Sequence, residues 1–185
     1  MTVTSVLRKL PRFPNDDPTS VTGSDGYDLR FDVASRYSDA RRLFEFGGHF
    51  GHGLVTLLEA CPNATWAGWT DNESLIPGSN QACRENLTAW CKQSGRKVGT
   101  WYSEQAIGAA GQRADLVVVD GDHGYHGAMI DLSLAAAMRP IAVLVHDVEN
   151  IGGVMQAVEN FVDYTAATCE IVSGAAGLAV IEWQR

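Results

Sequence analysis

The chain has 185 residues, a formal net charge of −8 and 45% apolar residues. This length suits one domain that buries a full core without disulfides or structural metal. The acidic balance, with Lys and Arg unclustered, excludes a general phosphate-backbone or anionic-membrane binder and favours a small or cationic ligand.

The chain opens on Pro11, Pro14 and Pro18 set among Asn15, Asp16, Asp17 and Gly23, so no regular element is expected between Pro11 and Gly26. A short helix or irregular approach is expected over Val33 to Leu43. Residues 1–41 are thus an N-terminal extension, or a flap over a substrate pocket that offers Tyr27, Arg30, Phe31, Arg36 and Tyr37. Residues 42–185 form the main domain.

From Arg42 onward short apolar runs alternate with helical patterns, which predicts an α/β protein with a mostly parallel sheet covered by helices. In RRLFEFGGHFGHGLVTLL the residues Leu43, Phe44 and Phe46 read as a buried strand. Leu54, Leu57 and Leu58 then recur at helical spacing to about Ala60. Strands follow at Thr65–Asp71, Lys97–Tyr102, Asp115–Asp120 and Ile141–Asp147. Helices are expected over Glu73–Lys92, Tyr125–Met138 and Gly153–Tyr164, and a short turn or helix over Ser103–Ala110. The last two β-rich runs, Glu170–Ser173 and Leu178–Trp183, are separated by only Gly174 to Gly177. That link is too short for a parallel crossover, so an antiparallel hairpin closes the sheet.

Ligands of open α/β sheets lie beyond the carboxyl ends of the strands. All five histidines, His49, His52, His123, His126 and His146, fall in or beside those ends, with Asp71, Asp120, Asp122 and Asp147. The glycine turn Gly47, Gly48, Gly51 and Gly53 is a ligand cradle, because it frees main-chain N–H groups at a helix start. Its spacing is not the G-x-G-x-x-G of dinucleotide enzymes. Asp71 can accept the hydroxyls of a ribose or cap the next helix. Tyr102 and Ser103 can flank an adenine. Asp120 and Asp147 can share a divalent cation such as Mg2+, while His123 or His146 can act as a general base.

Taken together, FEFGGHFGHG, GWTDNES, DLVVVDGDHGYHGAMIDL, IAVLVHDVENIGGVMQAV and GLAVIEW resemble the class I S-adenosylmethionine-dependent methyltransferases, most closely a small-molecule subgroup with a DGDH-type fourth strand and an HD-type fifth. The resemblance covers Arg42 to Trp183. It implies a three-layer Rossmann-like sheet of order 3-2-1-4-5-7-6 and methyl transfer to a small-molecule acceptor, at an oxygen before a nitrogen. By resemblance Glu45, Gly47, Gly48, Gly51 and Asp120 surround the methionine part of the cofactor. Asp71 binds the ribose, Tyr102 and Ser103 the adenine, and His123, His146 and Asp147 form the catalytic, substrate-facing side. Three features depart from the family pattern. Thr70 stands where the ribose acid is usual, Arg139-Pro140-Ile141-Ala142 replaces a Pro-Gly-Gly turn, and Val148 occupies the place of a third metal ligand, leaving His146, Glu149 or Asn150 for that role. The alternatives are a noncatalytic cofactor-binding protein of the same fold, or a dinucleotide-dependent enzyme. No nucleic-acid or membrane partner is expected, and no apolar run reaches the ~20 residues that span a bilayer. A homo-oligomer remains open. Cys61, Cys83, Cys91 and Cys169 have no close-paired metal spacing, so reduced thiols in the cytoplasm are expected.

Overall fold

The structure, a computed structural model, describes residues 3–11, 24–71 and 77–183. Its helices are α1 Val3–Leu7, α2 Ser24–Ala34, α3 His52–Ala60, α4 Ser79–Ser94, α5 Tyr125–Ala137 and α6 Gly152–Thr165. Its strands are β1 Arg42–Phe46, β2 Trp66–Thr70, β3 Gly99–Ser103, β4 Leu116–Val119, β5 Ala142–His146, β6 Thr168–Val172 and β7 Leu178–Glu182. They form one seven-stranded sheet of order β3-β2-β1-β4-β5-β7-β6. All neighbours are parallel except β5–β7 and β6–β7, which are antiparallel. This is the Rossmann-like arrangement with the terminal hairpin that the spacing required. No helix among the described residues is long and apolar enough to cross a membrane.

Alternate residues of each strand feed two separate apolar layers. Leu43, Leu116, Val118, Leu144 and Val180 face α1 to α4. Phe44, Phe46, Val117, Val119, Val143 and Ile181 face α5 and α6. The LVVV run of β4 is buried at every position, as a central parallel strand covered on both sides should be. Helix α6 buries Val154, Ala157, Val158 and Phe161, a one-sided stripe at spacings of three and four, and each large side chain in such a stripe stabilises the fold by about 1.5–3 kcal/mol.

The N-terminal part departs from the expectation of an irregular lead-in. Residues 12–23 lie outside the described ones, but α2 begins at Ser24, inside the stretch read as irregular, and ends at Ala34. Leu7, Leu10, Val33 and Ala34 belong to the same buried cluster as Leu54 and Leu116. The helix expected from Glu73 begins, in its described part, at Ser79 behind Gly78 (φ 85°), and Glu73 itself lies outside the described residues.

Candidate functional site

The strand order reverses between β1 and β4, so the chain leaves β1 toward α3 on one face and β4 toward α5 on the other, the place where open α/β sheets form a ligand crevice. Gly47 turns the chain there with φ 82°. A Cβ on it would run into the Asp120 carbonyl oxygen and lie 2.5 Å from that carbonyl carbon, so only glycine lets β1 leave the sheet against β4. Gly48 presses on the Trp69 ring, where a Cβ would come within 2.7 Å. Gly51 (φ 81°) takes the cap place of α3. The glycines therefore make a tight turn between β1 and α3, where the sequence places it.

A buried arginine sits under it. Arg30, 1% exposed on α2, donates from Nη1 to Glu45 Oε1 at 2.7 Å and from Nη2 to Asp120 Oδ2 at 2.6 Å. One guanidinium thus ties together the acids at the ends of β1 and β4. Gly53 makes room for it, since a Cβ there would overlap both Glu45 Oε1 and Arg30 Nη1. Burial pushes the Glu45 carboxyl up to about 8 against the pull of Arg30. Burial also opposes ionisation of Asp120, but Arg30, His146 and His123 outweigh it and hold that carboxyl well below its usual range.

Of the five histidines, His123 and His146 meet the acids. His146 Nδ1 lies 3.2 Å from Asp120 Oδ1 and 3.4 Å from Asp147 Oδ1. His123 Nε2 lies 3.3 Å from Asp147 Oδ2 and 3.6 Å from Asp120 Oδ1. The four groups close a ring of alternating imidazole and carboxylate. Asp147 is held at φ 63°, a sparsely populated conformation of the kind that collects at functional sites. The two imidazoles differ in access: the His146 side chain is 3% exposed and that of His123 42%. His146 Nε2 is buried without a partner. Hydrogen bonding to Asp120 raises the His123 pKa against partial burial. Burial opposes the His146 cation, but Asp120 and Asp147 overcome it and bring that pKa to about 9. The other three histidines have aromatic neighbours: His52 is buried with its edge toward Tyr27 and Phe50, His49 stacks on Phe50, and His126 abuts Tyr125.

The raised His146 value carries a stability consequence. Because its folded pKa exceeds 6.5, its contribution is complete below pH 6.5 and is lost as pH rises through about 9. Wild type should therefore exceed His146→Gln by about 2–3 kcal/mol at pH 6 and by much less at pH 10, as denaturant titrations at the two pH values would read. An equal gap at both would contradict the pairing with Asp120.

Asp120, His146 and Asp147 place one nitrogen and two carboxylate oxygens within 4.8 Å of one another, a set compatible with one divalent cation. The same carboxylates already serve Arg30 and the histidines, so a cation would compete with positive charge that the chain supplies. Val148, at the place of a third ligand, is buried and apolar.

On the β2 side Asp71 is 7% exposed and its Oδ2 is buried without a partner. The described part of α4 has Gly78 at its cap place. An orphaned carboxylate oxygen costs free energy unless a ligand donor meets it. Beyond β3, Tyr102, Ser103, Glu104, Gln105, Ile107 and Gly108 line an open hollow of about 430 Å³. The Tyr102 ring packs on Trp69 with Arg84 nearby, while Ser103 Oγ is occupied in its own turn, donating to the Gln105 carbonyl.

Two further participants are not among the site residues that the sequence singles out. Arg30 is one of several candidate flap residues in the sequence, because nothing in α2 marks which side chain reaches the crevice. Asp131 lies inside the DLVVVDGDHGYHGAMIDL stretch, but its role shows only in the structure: it is 5% exposed on α5 and accepts a hydrogen bond from the Asp122 main chain, bracing the loop after β4. Burial raises its pKa to about 7. An acid raised in the folded state loses stability as pH climbs toward that value, so Asp131→Asn should stabilise the protein by about 1–2 kcal/mol at pH 8 and little at pH 4. Thermal melts at both values test this.

No protein-family model and no curated protein matches the chain, but solved structures do. The SAH-bound methyltransferase PaMTH1 of Podospora anserina aligns over 99% of this chain and 86% of its own with a TM-score of 0.68 at 16% identity. An O-methyltransferase from Bacillus cereus in complex with SAH aligns over 98% and 89%, with a TM-score of 0.62 at 15% identity. The O-methyltransferase TomG of Streptomyces achromogenes, in complex with SAM, aligns over 83% and 77%, with a TM-score of 0.58 at 18% identity. The sheet order and the glycine turn therefore belong to a chain that has the fold of these methyltransferases.

Proposed function

We propose that the chain is a methyltransferase that uses S-adenosylmethionine (SAM) to methylate a small molecule, at an oxygen. The observation that carries this reading is the pair of buried, unpartnered carboxylate oxygens, Glu45 Oε2 on β1 and Asp71 Oδ2 just past the neighbouring strand β2. A ligand bearing an ammonium and a ribose diol satisfies both, and the fold relatives that bind SAM or SAH support the choice. Glu45, Gly47, Gly48, Gly51 and Asp120 would hold the methionine part, Asp71 the ribose, and Tyr102 with Ser103 the adenine edge.

When bound, the cofactor supplies an electrophilic methyl group on a cationic sulfur. The chain's task is then to hold the acceptor in line and receive its proton. His123 is the base in this reading, because its ring is accessible while Asp120 and Asp147 hold Nε2 and stabilise the charge it gains. His146, buried between the same acids, positions them. His123 would thus hold the acceptor's proton while the methyl group is transferred to the acceptor oxygen, which leaves the cofactor with a neutral sulfur.

Calorimetry should show micromolar binding of SAM or S-adenosylhomocysteine (SAH), and absence of heat for both at millimolar concentration would sink the proposal. Binding without methyl transfer across a panel of phenols, catechols and aliphatic alcohols, with metal supplied, would instead indicate a noncatalytic binding protein. Asp120 and Asp147 with His146 would also hold a divalent cation, whose chemistry is to lower a substrate hydroxyl pKa. Titration with Mg2+ and Mn2+, repeated on Asp147→Asn, tests that part separately.

A further inference from the structure

Arg30 is the only side chain among the described residues that forms ion pairs with acids on both sides of the crevice, Glu45 on β1 and Asp120 just past β4. Its guanidinium is buried, so water and salt screen it little. Its place is prepared from three sides: Gly53 carries no Cβ to obstruct it, Tyr27 lies with its ring 5.9 Å away, and α2 is anchored in the core through Val33 and Ala34. Replacing it by an apolar residue would leave Asp120 without its closest positive partner, in a crevice that also holds Asp71 and Asp147.

We infer that Arg30 is a specificity-determining residue that sets how strongly the crevice prefers a cationic over a neutral cofactor sulfur. This inference rests on the SAM reading above. SAM and SAH share the ribose, adenine and amino-acid parts and differ at the sulfur, which carries a positive charge in one and none in the other. Without Arg30, the ionised Asp120 would hold the cation tightly. The guanidinium moderates that attraction while leaving the neutral product almost unaffected, so it fixes the ratio of the two dissociation constants. A purely structural arginine would change both constants together.

The test is the ratio Kd(SAH)/Kd(SAM) by calorimetry in wild type, Arg30→Met and Arg30→Lys. In Arg30→Met the ratio should rise at least about tenfold, because at an effective dielectric constant of about 20 two unit charges still interact by about 1.4 kcal/mol, one factor of ten, when they are about 12 Å apart. In Arg30→Lys, which keeps the charge, it should stay near the wild-type value even where both affinities fall. Arg30→Gln retains hydrogen-bond donors for both carboxylates and replaces the Met variant where that does not fold. An unchanged ratio in the neutral variants, with both ligands weakened alike, overturns the inference while leaving the SAM reading intact. Failure of wild type to bind either ligand overturns the SAM reading, and the inference with it.

Discussion

Gly47→Ala should abolish measurable binding of SAM and SAH, weakening it by at least about a hundredfold. Two costs act at this one position. An alanine at φ 82° carries roughly 1–2 kcal/mol of left-handed strain, and its Cβ meets backbone, 2.5 Å from the Asp120 carbonyl carbon and 2.7 Å from Gly121 Cα. Backbone cannot swing aside as a long side chain can, so relief requires β1 and β4 to separate at the crevice, at about 1–3 kcal/mol more. That movement displaces Asp120 from Arg30 and turns the loop amides away from the ligand. A shift in position of about 1 Å is enough to cost such a site about two orders of magnitude. The melting temperature should fall by several degrees, at roughly 2–4 °C per kcal/mol for a chain of this size. Gly152→Ala is the matching control: a Cβ added there would meet nothing within 4 Å, so binding should be unaffected. Retention of wild-type affinity in Gly47→Ala would show that the ligand does not use this turn.

Asp120→Asn should have the largest effect on the electrostatics of the crevice. The carboxylate is shared by Arg30 at 2.6 Å, His146 at 3.2 Å and His123 at 3.6 Å. Removing its charge leaves Arg30 with Glu45 alone and removes the main support for the protonated form of His146 and of His123. Breaking a buried pair by deleting one partner costs about 3–5 kcal/mol, read as a fall in melting temperature on the order of 10 °C. NMR titration should show His146 moving from about 9 toward the ordinary histidine value, and His123 moving down with it. His146 titration that stays in place would mean that Asp147 alone holds that ring. Once an acceptor is known, methyl transfer should drop about 10²–10⁴-fold, the usual weight of a disabled acid–base group.

The candidate site is legible in the sequence to different depths. Gly47, Asp120, His146 and Asp147 stand at strand ends that the apolar runs mark directly, and in space they do converge on one crevice. Asp71 stays divided between capping and binding in the sequence; the described part of α4 starts behind Gly78, and Glu73, where the sequence predicts the capped helix to begin, lies outside the described residues. The histidine pattern promises more than it delivers: all five lie near strand ends, yet His49, His52 and His126 pack on aromatic neighbours, because a position near a strand end does not say which way a ring points. Tyr102 and Ser103 do border a hollow, but the Ser103 hydroxyl is engaged in its own turn.

By itself the sequence determined the alternation of strands and helices, the glycine turn and the terminal hairpin. Each is local: side-chain periods of two and 3.6 residues, a positive φ, and a linker too short to cross the sheet are all encoded within a few neighbouring residues. Tertiary structure alone decided that α2, whose charges Asp28, Arg30 and Asp32 gave it no clear apolar face, packs against α3 and delivers Arg30 to Asp120, a partner 90 residues away. No local period records such a pairing. It depends on which elements stack on one face of the sheet, and there a buried charge is stable only where its counter-charges end up.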